Sequence, residues 1–272
     1  MRLLTLISSL CLLVCRVAVG NVAATQPIPL IHVHAHNDYE HQRPFFDAIE
    51  RGFCSVEADI HLVDGKLLVA HDRKQVKPDR TLQSLYLDPF QARVKINGGR
   101  VFRGGPSVVL LIDVKADANA TYAVLKSVLK EYESMLTTWQ NNERSEGAVT
   151  VIVTGDRHRE LIAADNPRLA ACDGMIGDLD TNPSPELVPW ISEPWAKFFR
   201  WSGQGEMPEK EKQTMRTLVA KTHAQHRQLR FWGAPDNMAT WTELRAADVD
   251  LINTDHLAGA QEFLLKTEKP KP

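Results

Sequence analysis

The sequence predicts an α/β fold: a single-domain (β/α)8 TIM barrel over residues 25–272, with a short β-hairpin inserted after the second strand. Three observations point there. Eight short runs rich in Val, Ile, Leu or Phe alternate with amphipathic stretches from residue 28 onward. The runs are nearly continuous in apolar residues, as expected of parallel strands covered on both faces. Their number and span match a barrel, which commonly occupies about 250 residues as one domain.

Residues 1–24 are set apart as a secretory signal peptide. "MRLLTLISSLCLLVCRVAVG" carries Arg2, an apolar run from Leu3 to Cys15, and small residues at Ala18-Val19-Gly20 before Ala23-Ala24. The run is shorter than the ~20 residues of a membrane span, and Arg16 interrupts it. The expectation is export to a periplasm or the exterior, with no transmembrane segment after cleavage; an uncleaved anchor is the alternative.

The predicted strands are "PLIHVHAH", "CSVEADIHLV", "SVVLLIDVKA", "AVTVIVTGD", "GMIGDLD", "KFFRWSG", "LRFWGAP" and "VDLINTDH". Helices between them include "RPFFDAIERG", "ATYAVLKSVLKEYESMLTTW", "EKQTMRTLVAKTHAQH" and "MATWTELRAAD". After the second strand, Asp64-Gly65 lies between two apolar runs, a hairpin turn signal, and the chain returns with His71-Asp72. "TNPSPELVPWISEPW" holds four prolines and reads as loop.

Composition excludes charge-driven partners. Net charge is −2, and no block of like charge occurs, so neither nucleic acid nor a membrane surface is expected as a partner. The expected partner is a small-molecule or lipid phosphodiester, for reasons that lie at the strand ends. Beyond the signal segment only Cys54 and Cys172 remain. They are widely separated and read as buried free thiols, and no Cys/His spacing suggests a thiolate metal site.

Active sites of such barrels lie at the C-terminal strand ends. Glu57 and Asp59, two apart on strand two, project from the same face. Two carboxylates crowded together repel, and burying them unpaired is costly. One divalent cation relieves both penalties, and an all-oxygen ligand set with Asp113 from strand three suits Mg²⁺ or Ca²⁺. Pairing of Asp113 with Lys115 is the plainer alternative. His36 and His71 then suit proton transfer to and from a phosphodiester, and Lys115 suits the phosphoryl charge. His32, His34 and His61 share strand parity with the site and read as structural.

"AHNDYEHQRPFFDAIERGFCSVEADIHLVDGKLLVAHD" followed by "LLIDVKAD" resembles the glycerophosphodiester phosphodiesterase and phosphatidylinositol-phospholipase-C-like superfamily. It also resembles the sphingomyelinase-D branch and the phosphodiesterase-like proteins named for altered inheritance of mitochondria. The resemblance implies a phosphoric diester hydrolase in which His36 and His71 are the catalytic histidines, base and acid respectively. Glu57, Asp59 and Asp113 match its metal ligands and Lys115 its phosphate-facing lysine. Trp232 matches the aromatic wall of the substrate pocket, and Asn253 a residue contacting substrate or metal. The chain departs from the glycerophosphodiesterase pattern at His36-Asn37-Asp38, where His-Arg-Gly is usual. Arg43, Arg157 and Arg200 are candidates to supply the missing positive charge.

Two rival readings stand beside this one. The H-x-H of His34 and His36 also resembles zinc amidohydrolase and histidinol-phosphatase-like barrels, where Asp255 would complete the site. The middle strands lack the histidines such barrels need, since His158, His223 and His226 read as helical. The second rival is a non-catalytic barrel that binds phosphate or a lipid head group.

Overall fold

The computed structural model describes residues 26–267 apart from residue 142; the expected signal peptide lies outside the described residues. Eight parallel strands form the barrel: β1 (Val33–Ala35), β2 (Ser55–Val63), β3 (Val108–Val114), β4 (Val149–Gly155), β5 (Ala171–Gly174), β6 (Trp190–Pro194), β7 (Gln228–Trp232) and β8 (Ile252–Thr254). Hydrogen bonding runs β7-β6-β5-β4-β3-β2-β1-β8, and an isolated parallel bridge between Arg230 and Leu251 brings β7 against β8.

Strand parity divides the apolar residues into two cores. On β3, Leu110, Ile112 and Val114 face outward and pack under helices, in a cluster with Val56, Ala58 and Ile60 of β2. Leu111 faces inward with Ile152, Ala171, Trp190 and Leu251, forming a second cluster inside the barrel. Each such buried Leu or Ile contributes about 1.5–3 kcal/mol, which explains why runs apolar at both parities become barrel staves. At the C-terminal ends the inward positions turn polar, and the interior opens into a cleft.

The hairpin after β2 forms as expected. Asp64 (φ 48°) and Gly65 (φ 74°) both take left-handed backbone, the requirement of a tight hairpin turn. Residues Lys66–Val69 run back antiparallel to β2, with Val69 opposite Ile60. The excursion therefore returns the chain to the mouth of the barrel, where His71 meets Asp59.

Strands five and six differ from expectation. "GMIGDLD" contributes only Gly174 to β5, which is the earlier Ala171–Gly174. Asp178 then folds the following residues back: its carboxylate accepts from the Met175 N–H and from Arg159, and a short helix starts there. β6 is Trp190–Pro194, not "KFFRWSG". Its two prolines lie just before the strand and at its last position, where a missing N–H is tolerated. Phe198 and Phe199 instead pack on Phe231 outside the barrel. The helix expected to reach Trp139 ends at Glu131, and Thr138–Gln140 pairs with Glu143–Ser145 in a two-stranded ribbon. Cys54 and Cys172 are free and buried, and burial raises their thiol pKa values to about 12 and about 11.

The β7–β8 seam has one long backbone hydrogen bond, Leu251 N–H to Leu229 O at 3.4 Å. Side chains reinforce it. Asp250 Oδ2 accepts from the Leu229 N–H at 2.8 Å and lies 2.8 Å from His223 Nε2. Asp250→Ala orphans a buried donor at this seam, so a loss of about 2 kcal/mol is expected, read as a lower urea midpoint at unchanged slope. An unchanged midpoint would show that the seam closes without Asp250.

Candidate active site

Asp59 and Asp113 are direct partners in the parallel register of β2 and β3, and Glu57 precedes Asp59 by two residues on the inward face. Each of the three carboxylates offers an oxygen, and these oxygens lie within 4.8 Å of one another. The close approach has a backbone cause in β4. Gly155 sits at φ +73°, and a Cβ there would lie 1.9 Å from Asp113 Oδ1. Only glycine leaves room for that carboxylate.

Cationic and hydrogen-bonding neighbours hold the cluster. Lys115 Nζ reaches Asp59 Oδ2 at 2.6 Å and Asp113 Oδ2 at 2.7 Å. Burial alone would lower the Lys115 pKa, but the bonds to Asp113 and Asp59 outweigh it and raise it. Arg230 Nη1 lies 3.3 Å and His34 Nε2 2.8 Å from Glu57 Oε2. Burial works against ionised Glu57, yet the His34 bond and the Arg230 charge prevail and hold it well below the carboxylate range. Burial, then the Arg230 charge, push His34 down to about 4. His34 is thus neutral, donating to Glu57 while Ser55 Oγ lies 2.6 Å from its other nitrogen. Asp59 goes the other way, raised to about 6 by burial and by the Glu57 charge.

The donor set fits a hard divalent cation. Asp59 Oδ1 is buried and has no hydrogen-bond partner, an arrangement that is costly unless something else satisfies the atom. Three carboxylates from neighbouring strands, with no sulfur among them, are the oxygen ligands such ions prefer.

Both candidate histidines stand at this cluster. His36 Nδ1 lies 2.9 Å from Asp255 Oδ1, and His71 Nδ1 3.1 Å from Asp59 Oδ2. With Nδ1 tied to a carboxylate, each ring presents Nε2 for proton exchange. Burial lowers the His36 pKa, but the Asp255 hydrogen bond and the Glu57 and Asp255 charges outweigh it, leaving it raised. Asp255 is itself fixed: Asp236 Oδ2 accepts from Thr254 Oγ1 and from the Asp255 and His256 N–H groups at 2.9–3.2 Å. The Tyr39 hydroxyl donates to Asp59 Oδ2 at 2.6 Å. Asp38 supports this loop from beneath. Its Oδ2 accepts from the Phe45 N–H at 2.6 Å and the Tyr86 hydroxyl at 2.9 Å, and burial pushes its pKa up to about 7.

The cleft above the cluster has a volume of about 410 Å³, and His36, Glu57, Asp59, His71, Asp113 and Lys115 all line it. Trp232, 45% exposed, stands on its wall. Asn253 is not among the lining residues; it is buried beneath, with Oδ1 accepting from Arg230 Nη1 at 2.9 Å. Of the arginines expected to supply charge, Arg157 lines the cleft. Arg43 pairs with Asp47 and Glu50, and Arg200 bonds backbone carbonyls at Ala196 and Phe199.

The arginine that the sequence reading missed is Arg230. It alternates with Leu229 and Phe231 on β7, whose burial outside the barrel sends Arg230 inward. That parity was the available signal. Asp255, expected only as a zinc ligand in the rival reading, is the partner of His36. The two H-x-H histidines bond to different acids, and among the described residues the metal-competent grouping is the carboxylate one.

Residues 22–170, which include β1–β4, match the AIM6-like phosphodiesterase domain, and residues 228–258, which include β7 and β8, match the glycerophosphoryl diester phosphodiesterase family. Altered inheritance of mitochondria protein 6 homolog of Arthroderma benhamiae is 27% identical over 269 residues, covering 88% of this chain and 85% of its own. Altered inheritance of mitochondria protein 6 of Saccharomyces cerevisiae is 28% identical over 286 residues, covering 88% and 71%. The crystal structure of a glycerophosphodiester phosphodiesterase from Parabacteroides distasonis superposes with a TM-score of 0.51 at 15% identity, over 90% of this chain and 98% of that one; it shares the fold. The chain belongs to the AIM6-like phosphodiesterase domain family, within the glycerophosphodiester phosphodiesterase-like superfamily.

Proposed function

We propose that this protein hydrolyses phosphoric diesters in a reaction that depends on one divalent cation, Mg²⁺ or Ca²⁺, with His36 and His71 moving the protons. The observation that carries the proposal is the meeting, in one cleft, of three mutually close carboxylates and two imidazoles, each anchored through Nδ1. Family and fold support the reaction class.

Glu57, Asp59 and Asp113 would hold the cation. Bound there, it would supply Lewis-acid polarisation of a phosphoryl oxygen. The remaining work falls to side chains. His36, neutral and oriented by Asp255, takes the proton from the attacking group, which is water or a neighbouring hydroxyl of the substrate. His71 gives a proton to the departing alkoxide. Lys115 and Arg230 set positive charge against the phosphoryl oxygens in a partly dry cleft, where such contacts count for more than in water. Asn253 serves by holding Arg230 in place. Trp232 offers an aromatic face to one substituent of the diester.

A substrate panel tests this reading: glycerophosphodiesters, phosphatidylinositol, sphingomyelin, lysophospholipids and an aryl phosphodiester, each with and without chelator. Turnover of at least one member, lost on chelation, is expected. His36→Ala and His71→Ala should each lower kcat by about 10²–10⁴ with the circular dichroism spectrum unchanged; near-normal turnover in both variants would defeat the assignment.

The pH dependence follows from Asp255. A base must be neutral, so the rate falls as pH drops through the raised His36 pKa. In Asp255→Asn the charge is gone and any hydrogen bond that remains is to a neutral amide oxygen, so burial is less resisted and the pKa falls. The acid limb of the kcat/KM profile should therefore move to lower pH. An unmoved limb, or one moved upward, would assign that limb to another group.

A further inference from the structure

The chain leaves the glycerophosphodiesterase pattern just after His36, and the departing residues build a turn of their own. Asn37 takes left-handed backbone (φ 47°) and begins a 3₁₀ turn, Asp38–Glu40. Among residues with a side chain, asparagine is one of the few that adopt that conformation readily. The turn is tied down from two directions. Asp38 Oδ2 accepts from the Phe45 N–H and the Tyr86 hydroxyl. Arg80 Nη2 donates to the Tyr39 carbonyl oxygen at 2.5 Å. Tyr39 is thus fixed through its main chain, and it is buried.

Its hydroxyl lies where the cation ligands meet the second histidine. Asn37 Oδ1 is 2.7 Å away, Asp59 Oδ2 2.6 Å and His71 Nδ1 3.2 Å. A phenol has one proton to give and can accept through its oxygen. The carboxylate is the stronger acceptor, so the proton goes to Asp59. The phenol oxygen then accepts, together with Asp59 Oδ2, from the His71 Nδ1–H. Asp59 Oδ2 thereby gathers Tyr39, Lys115 and His71, whereas Asp59 Oδ1 is buried without a partner. So unequal a division of donors between the two oxygens fixes the rotation of the carboxylate.

Resting on the phosphodiesterase reading above, we infer that Tyr39 is a positioning residue with two duties: its hydroxyl leaves Asp59 Oδ1 free for the cation, and it holds the His71 ring through Nδ1 so that Nε2 serves the departing oxygen. Tyr39 is not among the residues lining the cleft, so it acts through Asp59 and His71 and not on the substrate. Residues that orient metal ligands through hydrogen bonds commonly govern affinity and rate together. Here one hydroxyl reaches a cation ligand and the proton donor at once.

Tyr39→Phe removes the hydroxyl and keeps the ring, so an unchanged circular dichroism spectrum is expected. Calorimetric titration of the chelator-treated variant with Mg²⁺ or Ca²⁺ should show affinity about tenfold weaker than that of the wild type. At saturating cation, kcat toward an alkyl diester should fall about tenfold with KM unchanged. Turnover of bis(para-nitrophenyl) phosphate, whose leaving group departs as a stable anion with little need of a proton, should fall much less. A tyrosine that merely packs would leave cation affinity alone and slow both diesters alike. Affinity equal to the wild type's, equal loss of kcat for the two diesters, or a wild-type protein that binds neither ion rejects the inference. A wild-type protein that binds the ion yet turns over no diester removes the phosphodiesterase reading and with it the duty toward His71; calorimetry then decides the duty toward Asp59.

Discussion

Mutual repulsion among three carboxylates is the constraint around which this molecule is arranged. Asp59 and Asp113 face each other across adjacent parallel strands, with Glu57 one inward position away. Buried like charges at this spacing are tolerated only where something offsets them. The barrel answers with cations from two directions, Lys115 on the β3 side and Arg230 across the interior. One oxygen, Asp59 Oδ1, is left buried and unpaired. An arrangement so costly to the fold is explained by function more readily than by stability.

The rest of the scaffold works on geometry rather than charge. Gly155 vacates the space that Asp113 fills. The Asp64-Gly65 turn sends the chain out and back so that His71 returns beside Asp59. Asp236 gathers three donors of the β8 loop and so fixes Asp255, which orients His36. The two histidines follow adjacent strands, β1 and β2, but the acids that orient them come from opposite ends of the barrel path, Asp255 after β8 and Asp59 on β2. One is set by a hairpin, the other by the seam where the barrel closes.

Much of this was legible in the sequence because it is carried by local patterns. E-x-D on a strand places both acids on one face whatever surrounds it, and Asp64-Gly65 between apolar runs has few other meanings. The site residues from β1 to β3 follow from these. β5 was harder to read, since Ala171-Cys172-Asp173-Gly174 has almost no β-branched or aromatic content to announce it. β6 was obscured by prolines at its borders, while the aromatic run Phe198-Phe199 imitated a strand and in fact packs outside the barrel. Arg230 was missed for a different reason. A charged residue within an apolar strand reads as an interruption until its partners are known, and those partners, Glu57, Asn253 and Ser192, are distant in sequence.

The central claim is that Glu57, Asp59 and Asp113 form one cation site. Calorimetric titration of the chelator-treated protein with Mg²⁺ or Ca²⁺ tests it most directly. One saturable site per chain is expected, with affinity strongly reduced in Glu57→Gln. Absence of saturable binding for both ions, or binding in Glu57→Gln indistinguishable from the wild type, would contradict it.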